Sequence, residues 1–496
     1  MEKENILPGT ILLIVLFSLA FAKNYAQTDT LQLTLQQLVE IAESDAPQVQ
    51  IAQTRLDNNY WRYQSFLADF KPQINLNATL PNLTRSIDAI TLPDGSDAFI
   101  PRSLMNNALN LTLSQDIGLT GGNIFARTSL RRIDIFATDN NPASASFLST
   151  PISIGFQQPL FGFNPLKWDR ILEPLRYEEA QKNYSEEKAD VAYQAAQLFF
   201  DVLVSQLNLE AARRDKLESD TLYQIAQGRF AVGTIAETEL LQIELTARRA
   251  ETNLAQSRFD LQNSTEALRD FLGIQRTITF TFIVPENLPP LNIDAEQALS
   301  LALQNRSEMV SFQRRLKEAD REVDQAESEN GLNMDLFAQF GLTQTGNNLG
   351  DAYTNPLDQQ QLNLGLTLPI ADWGKQRARL EIARSNQAVT QLLVEQERIT
   401  FERDILVKVQ QYEQVRQQVF LAQRAYDIAQ RTLDITRKRY RIGKIDINDL
   451  NIAIAAEADE RRGYVNALRA FWLAYYDLRR LTLYDFQQQR SLVNPN

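Results

Sequence analysis

The sequence predicts a membrane protein of the α + β class: a β-barrel whose strands several copies of the chain share, continued by a long α-helical coiled coil, and built from two internal repeats. Three observations predict it. The stretch from Lys375 to Ile442 runs 68 residues without Gly or Pro, and one helix of that length would be about 100 Å long, beyond the reach of one globular domain. The second half of the chain repeats the first. Short segments between the long helices alternate apolar and amide residues with a period of two.

The rod needs a partner along its length. Ile405, Tyr412, Val419, Tyr426, Leu433 and Tyr440 recur every seven residues, with Val415, Ala422, Ala429 and Thr436 between them, which is a coiled-coil seam. An ordinary dimeric coiled coil gives the same pattern, so its meaning comes from its surroundings.

The repeat supplies them. A shift of 210 residues aligns Gly155 with Gly365, Pro159 with Pro369, Arg229 with Arg439, Gly233 with Gly443, Leu240 with Leu450 and Arg269 with Arg479; such self-similarity marks a duplicated unit. Nearer the N-terminus the shift is 260, aligning Ala42 with Ala302 and Arg55 with Arg315, so the first copy carries 50 extra residues between Leu80 and Ile152.

In chain order, residues 1–26 hold the apolar run Ile11 to Ala22 and small residues at Ala20, Ala22 and Ala26. They read as a secretory signal peptide, an uncleaved anchor being the other reading. No later segment approaches 18 apolar residues, so a membrane crossing would use strands. The first repeat, 27–276, contains a helix at 48–70, strands at about 73–81 and 152–160, an inserted hairpin at about 106–136, a long helix at 168–227 and a helix at 236–272. A linker follows at 277–297, with a short strand at Thr277 to Phe282. The second repeat, 298–483, has a helix at 308–330, strands at 333–344 and 362–370, the long helix 375–442 and a helix at 446–482. A tail covers 484–496. Stretches 82–105, 137–150 and 345–361, rich in Asn, Asp, Pro, Ser and Gly, read as exposed loops.

The strands place Ile74, Leu76, Ala78 and Leu80 opposite Gln73, Asn75, Asn77 and Thr79, and Leu362, Leu364 and Leu366 opposite Asn363, Gly365 and Thr367. A soluble half-buried sheet alternates in the same way, but a polar side of amides and Gly suits a water-filled barrel lumen. Four such strands cannot close a barrel alone; closure requires several copies. Whether the inserted hairpin, with Leu109, Leu111 and Leu113 alternating with Asn110, Thr112 and Ser114, joins the barrel or decorates its mouth stays open.

Composition narrows the chemistry. A formal charge of −12 argues against nucleic acid. With no His and no Cys, metal, thiolate and most acid–base sites lose their usual side chains. No cofactor and no enzymatic activity are expected, and no nucleotide-binding Gly-rich loop supplies energy.

At this point the chain resembles the TolC family of outer-membrane efflux and secretion channels. The resemblance rests on the duplicated turns Arg229-Phe230-Ala231-Val232-Gly233-Thr234 and Arg439-Tyr440-Arg441-Ile442-Gly443-Lys444, with the strand ends Gln158-Pro159-Leu160-Phe161 and Leu368-Pro369-Ile370. It implies a homotrimer with one outer-membrane β-barrel, usually of four strands per protomer, continued by a periplasmic helical tunnel. It also implies a passive exit duct fed by an inner-membrane pump through a periplasmic adaptor protein. By resemblance Val232, Gly233, Thr234, Ile442, Gly443 and Lys444 are adaptor contacts, Glu239 and Asp449 line the pore constriction, and Tyr440 gates it. The residues allow plainer readings. Glycines end helices in left-handed caps, first-turn acids favour helix N-termini, with Thr234 and Glu237 or Asp446 and Asp449 as capping boxes, and Tyr440 completes the seam. A secreted coiled-coil structural or adaptor protein without a barrel is the alternative.

Overall fold

The computed structural model describes residues 30–91, 93–137, 142–274, 279–285, 288–289, 291–442, 444–445 and 447–493. The expected signal peptide, Gly443, Asp446 and parts of the 277–297 linker lie outside the described residues. The chain forms two compact units, each drawing on both repeats. No described helix is long and apolar enough to cross a membrane.

One unit comprises residues 54–184 and 306–403. Its helices are α2 (Pro47–Asp69), which begins in the other unit, the start of α3 (Pro165–Ala231), α6 (Ser307–Glu329) and the first part of α7 (Lys375–Arg441). They stand in a row. The rings of Tyr63 and Tyr177 stack 5.0 Å apart between α2 and α3, Arg176 meets Glu318 at 2.9 Å between α3 and α6, and Arg384 meets Glu327 at 3.0 Å between α6 and α7.

The same unit holds a seven-stranded sheet: β2 (Gln73–Thr79), β3 (Leu83–Thr91), β4 (Asp97–Ile117), β5 (Gly122–Ile135), β6 (Ser144–Leu160), β8 (Asn333–Gly346) and β9 (Leu357–Thr367). Its order is β2-β4-β5-β6-β8-β9, with β3 also on β4, and every pairing is antiparallel. The inserted hairpin therefore sits inside the sheet, between β2 and β6. Three expected loops need correction. Residues 82–105 form β3 and the start of β4, joined by a turn with Gly95 at φ +82°; β6 begins at Ser144, and β8 and β9 extend to Gly346 and from Leu357. Polar residues disguised β3, but pairing supplies their partners, as Arg102 does for Asp88 at 3.5 Å.

The other unit comprises residues 30–53, 185–305 and 404–493 within the described set. It contains β1 (Thr30–Leu33), α1 (Leu35–Asp45), most of α3, α4 (Glu237–Leu272), β7 (Thr279–Phe282), α5 (Ala295–Asn305), the rest of α7, α8 (Ile447–Thr482), β10 (Tyr484–Asp485) and β11 (Arg490–Ser491). Thr34 and Gln37 cap α1 reciprocally, at 3.3 and 3.0 Å, which satisfies two otherwise orphaned N–H groups. β1 and β7 pair in parallel. The expected seam is the buried stripe of α7: Ile405, Tyr412, Val419 and Leu433 are buried. Its partner is α8, with Tyr412 5.4 Å from Phe471 and Tyr426 stacked 6.0 Å from Tyr464. Where α8 ends, buried Arg479 holds Glu43 at 2.9 Å and Asp485 at 3.3 Å.

Candidate functional site

Paired residues in an antiparallel ladder share a face, so the register sorts the sheet into rows. Ile74, Leu113, Ala126, Ile154 and Phe340 form one row across β2, β4, β5, β6 and β8. The next row, on the other face, is Asn75, Thr112, Arg127, Ser153, Gly341 and Gln359. Ile124, Phe156, Ala338 and Leu362 return to the apolar face. That face is open: Ile74 is 70% and Leu362 71% exposed, although a sheet in water buries its apolar side. A two-faced sheet with one side bare and apolar and the other amide-rich is the transmembrane-strand pattern.

The polar face carries one aromatic element. Phe125 lies buried on it, 5.9 Å from Phe337, and the Arg127 guanidinium sits 5.3 Å from the Phe125 ring, within cation–π reach. Gly155 makes room for that ring, since a Cβ there would come within 2.6 Å of Phe125 and of the Ala338 carbonyl. Sequence reading missed Arg127 and Arg131 as polar-face cations, although their spacing of four along a strand places them on the same side as Ser129.

The predicted turn residues follow the C-terminal ends of the long helices. α3 ends in a Schellman turn: Gly233 at φ +72° donates its N–H to Phe230 O at 2.9 Å, and Thr234 N–H reaches Arg229 O at 2.9 Å, closing two orphan carbonyls. The Thr234 hydroxyl also donates to Arg229 O. This overturns the expected Thr234–Glu237 capping box: the N-cap of α4 is Ala236, without a side-chain hydrogen bond. Val232, Gly233 and Thr234 are exposed, and Glu239 is half-buried in the first turn of α4. The second turn matches the first where it is described, with Lys444 N–H to Arg439 O at 3.0 Å. Ile442 and Lys444 are exposed, and Asp449 is exposed in the first turn of α8.

Tyr440 packs on an apolar cluster of Ala226, Ile243, Leu433, Leu450 and Ala453, with Leu240 beside it. The structure therefore places it in the knot where α3, α4, α7 and α8 end. It also lines a groove of about 520 Å³ with Arg229, Ile225 and Leu450, beside the Arg437–Glu218 ion pair at 2.8 Å. A further feature escaped sequence reading: Val407, Leu421, Ile428 and Ile435 fall on a second heptad stripe of α7, which Ile442 just beyond its end continues, each at least 50% exposed.

Among the described residues no cluster of carboxylates could hold a metal ion. The arrangement offers a surface for lipid, a polar wall and a helix-end knot.

Comparison with known proteins agrees with that description. The family model for outer membrane efflux protein matches residues 38–274 and 298–482, most of both repeats, and the chain belongs to this family of outer-membrane channels, which are not enzymes. Among solved structures it is similar to the Campylobacter jejuni CmeC outer membrane channel, at 16% identity and TM-score 0.67 over 92% of this chain and 87% of that one. It is also similar to the open state of the Neisseria gonorrhoeae MtrE outer membrane channel, at 15% identity and TM-score 0.61 over 93% of each chain. The outer membrane protein VceC from Vibrio cholerae gives 16% identity and TM-score 0.59 over 90% of this chain and 96% of that one. These likenesses are of fold. No curated protein sequence matches the chain.

Proposed function

We propose that three copies of the chain close their sheets into one outer-membrane barrel and their helices into a periplasmic tunnel. The assembly is a passive exit duct of a tripartite efflux or secretion system. Cargo, small toxic compounds or polypeptides, comes from an inner-membrane pump through a periplasmic adaptor. The observation that carries this reading is the sheet: one face bare and apolar, and two edges, β2 and β9, without a partner among the described residues. An open edge in lipid leaves backbone groups unsatisfied at several kcal/mol each, so the edges must meet other strands. The second heptad stripe of α7 supports the same assembly, because a seam already covered by α8 needs no second one unless another copy approaches.

Within that duct Val232, Gly233, Thr234, Ile442, Gly443 and Lys444 are the adaptor-docking turns. Glu239 and Asp449 form the constriction, repeated by threefold symmetry, and Tyr440 holds it shut by packing the helix ends. A ring of acids raises the local negative potential, which favours cations and creates a site for multivalent blockers. Glu239→Ala with Asp449→Ala should raise single-channel conductance in planar bilayers and weaken block by multivalent cations; unchanged conductance would leave both acids as helix-end residues only. Recovery of the mature chain in the soluble fraction without detergent would instead support a secreted coiled-coil protein.

A further inference from the structure

Four strands of the sheet join directly to helices: β2 follows α2, β6 precedes α3, β8 follows α6 and β9 precedes α7. The helix row α2-α3-α6-α7 and the strand order β2, β6, β8, β9 agree, so each helix stands under its own strand. The inserted β4 and β5 fill the place between the α2 column and the α3 column.

Their lower turn is fixed there by specific contacts. Asn164, just before α3, donates its side-chain amide to the carbonyls of Gly118 and Leu119 at 3.3 and 3.2 Å. Gln115 reaches the carbonyl of Phe70, beyond the end of α2, at 3.4 Å, and Gln158 of β6 reaches Thr120 O at 2.8 Å. A Cβ on Gly118 would lie 2.8 Å from the Phe70 ring. Around their middle both strands carry the two-faced pattern, Leu109, Leu113, Ala126 and Leu130 on the apolar side, Thr112 and Arg127 on the polar side.

We infer that each copy contributes six strands to the barrel, β2, β4, β5, β6, β8 and β9, so that three copies close a wall of eighteen in which β2 of one copy pairs with β9 of the next. The inference rests on the threefold closure proposed above. Its backbone radius is about 18 Å, against about 12 Å for the twelve strands that remain without the insert. The insert therefore widens the passage at the membrane relative to a twelve-stranded wall.

The chain has no Cys, so introduced pairs can be read without background in the full-length protein in outer-membrane vesicles under mild oxidation. Asn75→Cys with Thr112→Cys joins β2 to β4 and should link within one chain, abolishing the gel shift by a polyethylene-glycol maleimide. Asn75→Cys with Ser153→Cys, which would join β2 to β6 if the insert lay outside the wall, should keep both thiols free. Asn75→Cys with a cysteine at Gln361, Asn363 or Gly365 should give a covalent trimer. A trimer in which the Asn75/Thr112 pair stays reduced, with both thiols free, overturns the six-strand wall and leaves the duct standing. Absence of trimer from all three β2–β9 pairs overturns the closure and the six-strand wall together.

Discussion

The two repeats of this chain solve the same problem with different amounts of sheet. In the second, one strand rises from α6 and one returns to α7; in the first, the chain from α2 to α3 crosses the sheet four times. The helices on either side are nearly equal, α3 and α7 having 67 residues each and α4 and α8 having 36 each. The difference teaches how a sheet of this kind grows. A hairpin adds two strands at once, so the chain returns to the same edge in the same direction, and the apolar rows on either side stay in phase. One added strand would leave the chain on the wrong side.

Aligned positions allow that comparison to be broken, starting with the largest effect. Arg479 is 4% exposed and holds two carboxylates, whereas its counterpart Arg269 pairs with one carboxylate among the described residues, the half-exposed Glu266 at 2.6 Å. Arg479→Ala should cost about 3–5 kcal/mol by leaving buried acids uncompensated, and Arg269→Ala about 1 kcal/mol or less, read by denaturant unfolding. Equal losses would mean that the two repeats end alike.

Gly155 and Gly365 are the next pair. A Cβ at Gly155 meets two atoms at 2.6 Å, while one at Gly365 finds its nearest neighbour at 3.7 Å. Gly155→Ala should cost about 1–3 kcal/mol by overpacking, and Gly365→Ala should stay within about 0.5 kcal/mol. Restoration of the first by Phe125→Leu would locate the strain in the insert. At the turns, Gly233→Ala forces a Cβ into φ +72° and should cost about 1–2 kcal/mol. A matching loss at Gly443→Ala would show that both turns close in the same way.

The smallest effect separates the helix seams. Tyr412 is wholly buried, and its hydroxyl has no hydrogen-bond partner among the described residues; the equivalent position in the first repeat is the buried Val202. Burial pushes the Tyr412 phenol up to about 12 from 10.0. The unfolded chain thus loses this proton first, and stability falls as pH rises from about 10 to about 12. Tyr412→Phe should remove that part of the alkaline loss and raise stability at neutral pH by about 1 kcal/mol, because a buried donor without a partner is costly. Thermal melts at pH 8 and pH 11 would show both.

Much of the architecture was legible because its period is simple. The long helices were expected within about four residues of their observed ends, and the seam Ile405 to Leu433 is the buried stripe. Strand alternation marked the correct faces. β3 was hidden, since Arg85, Ser86, Asp88 and the nearby prolines resemble a loop until β4 is beside them. The Thr234–Glu237 box failed because the same Thr234 was needed to close α3, a competition that spacing alone does not rank. For Glu239, Asp449 and Tyr440, the sequence could offer positions and charges, but the proposed constriction would form only between copies of the chain. One chain shows only that the two acids lie in first turns and that Tyr440 packs at the knot.

The most direct measurement is the native mass of the detergent-extracted protein, taken together with its conductance in a planar bilayer. A particle of three chains that opens a water-filled channel is the predicted result. A single chain or a dimer, soluble without detergent and silent in the bilayer, would contradict the account.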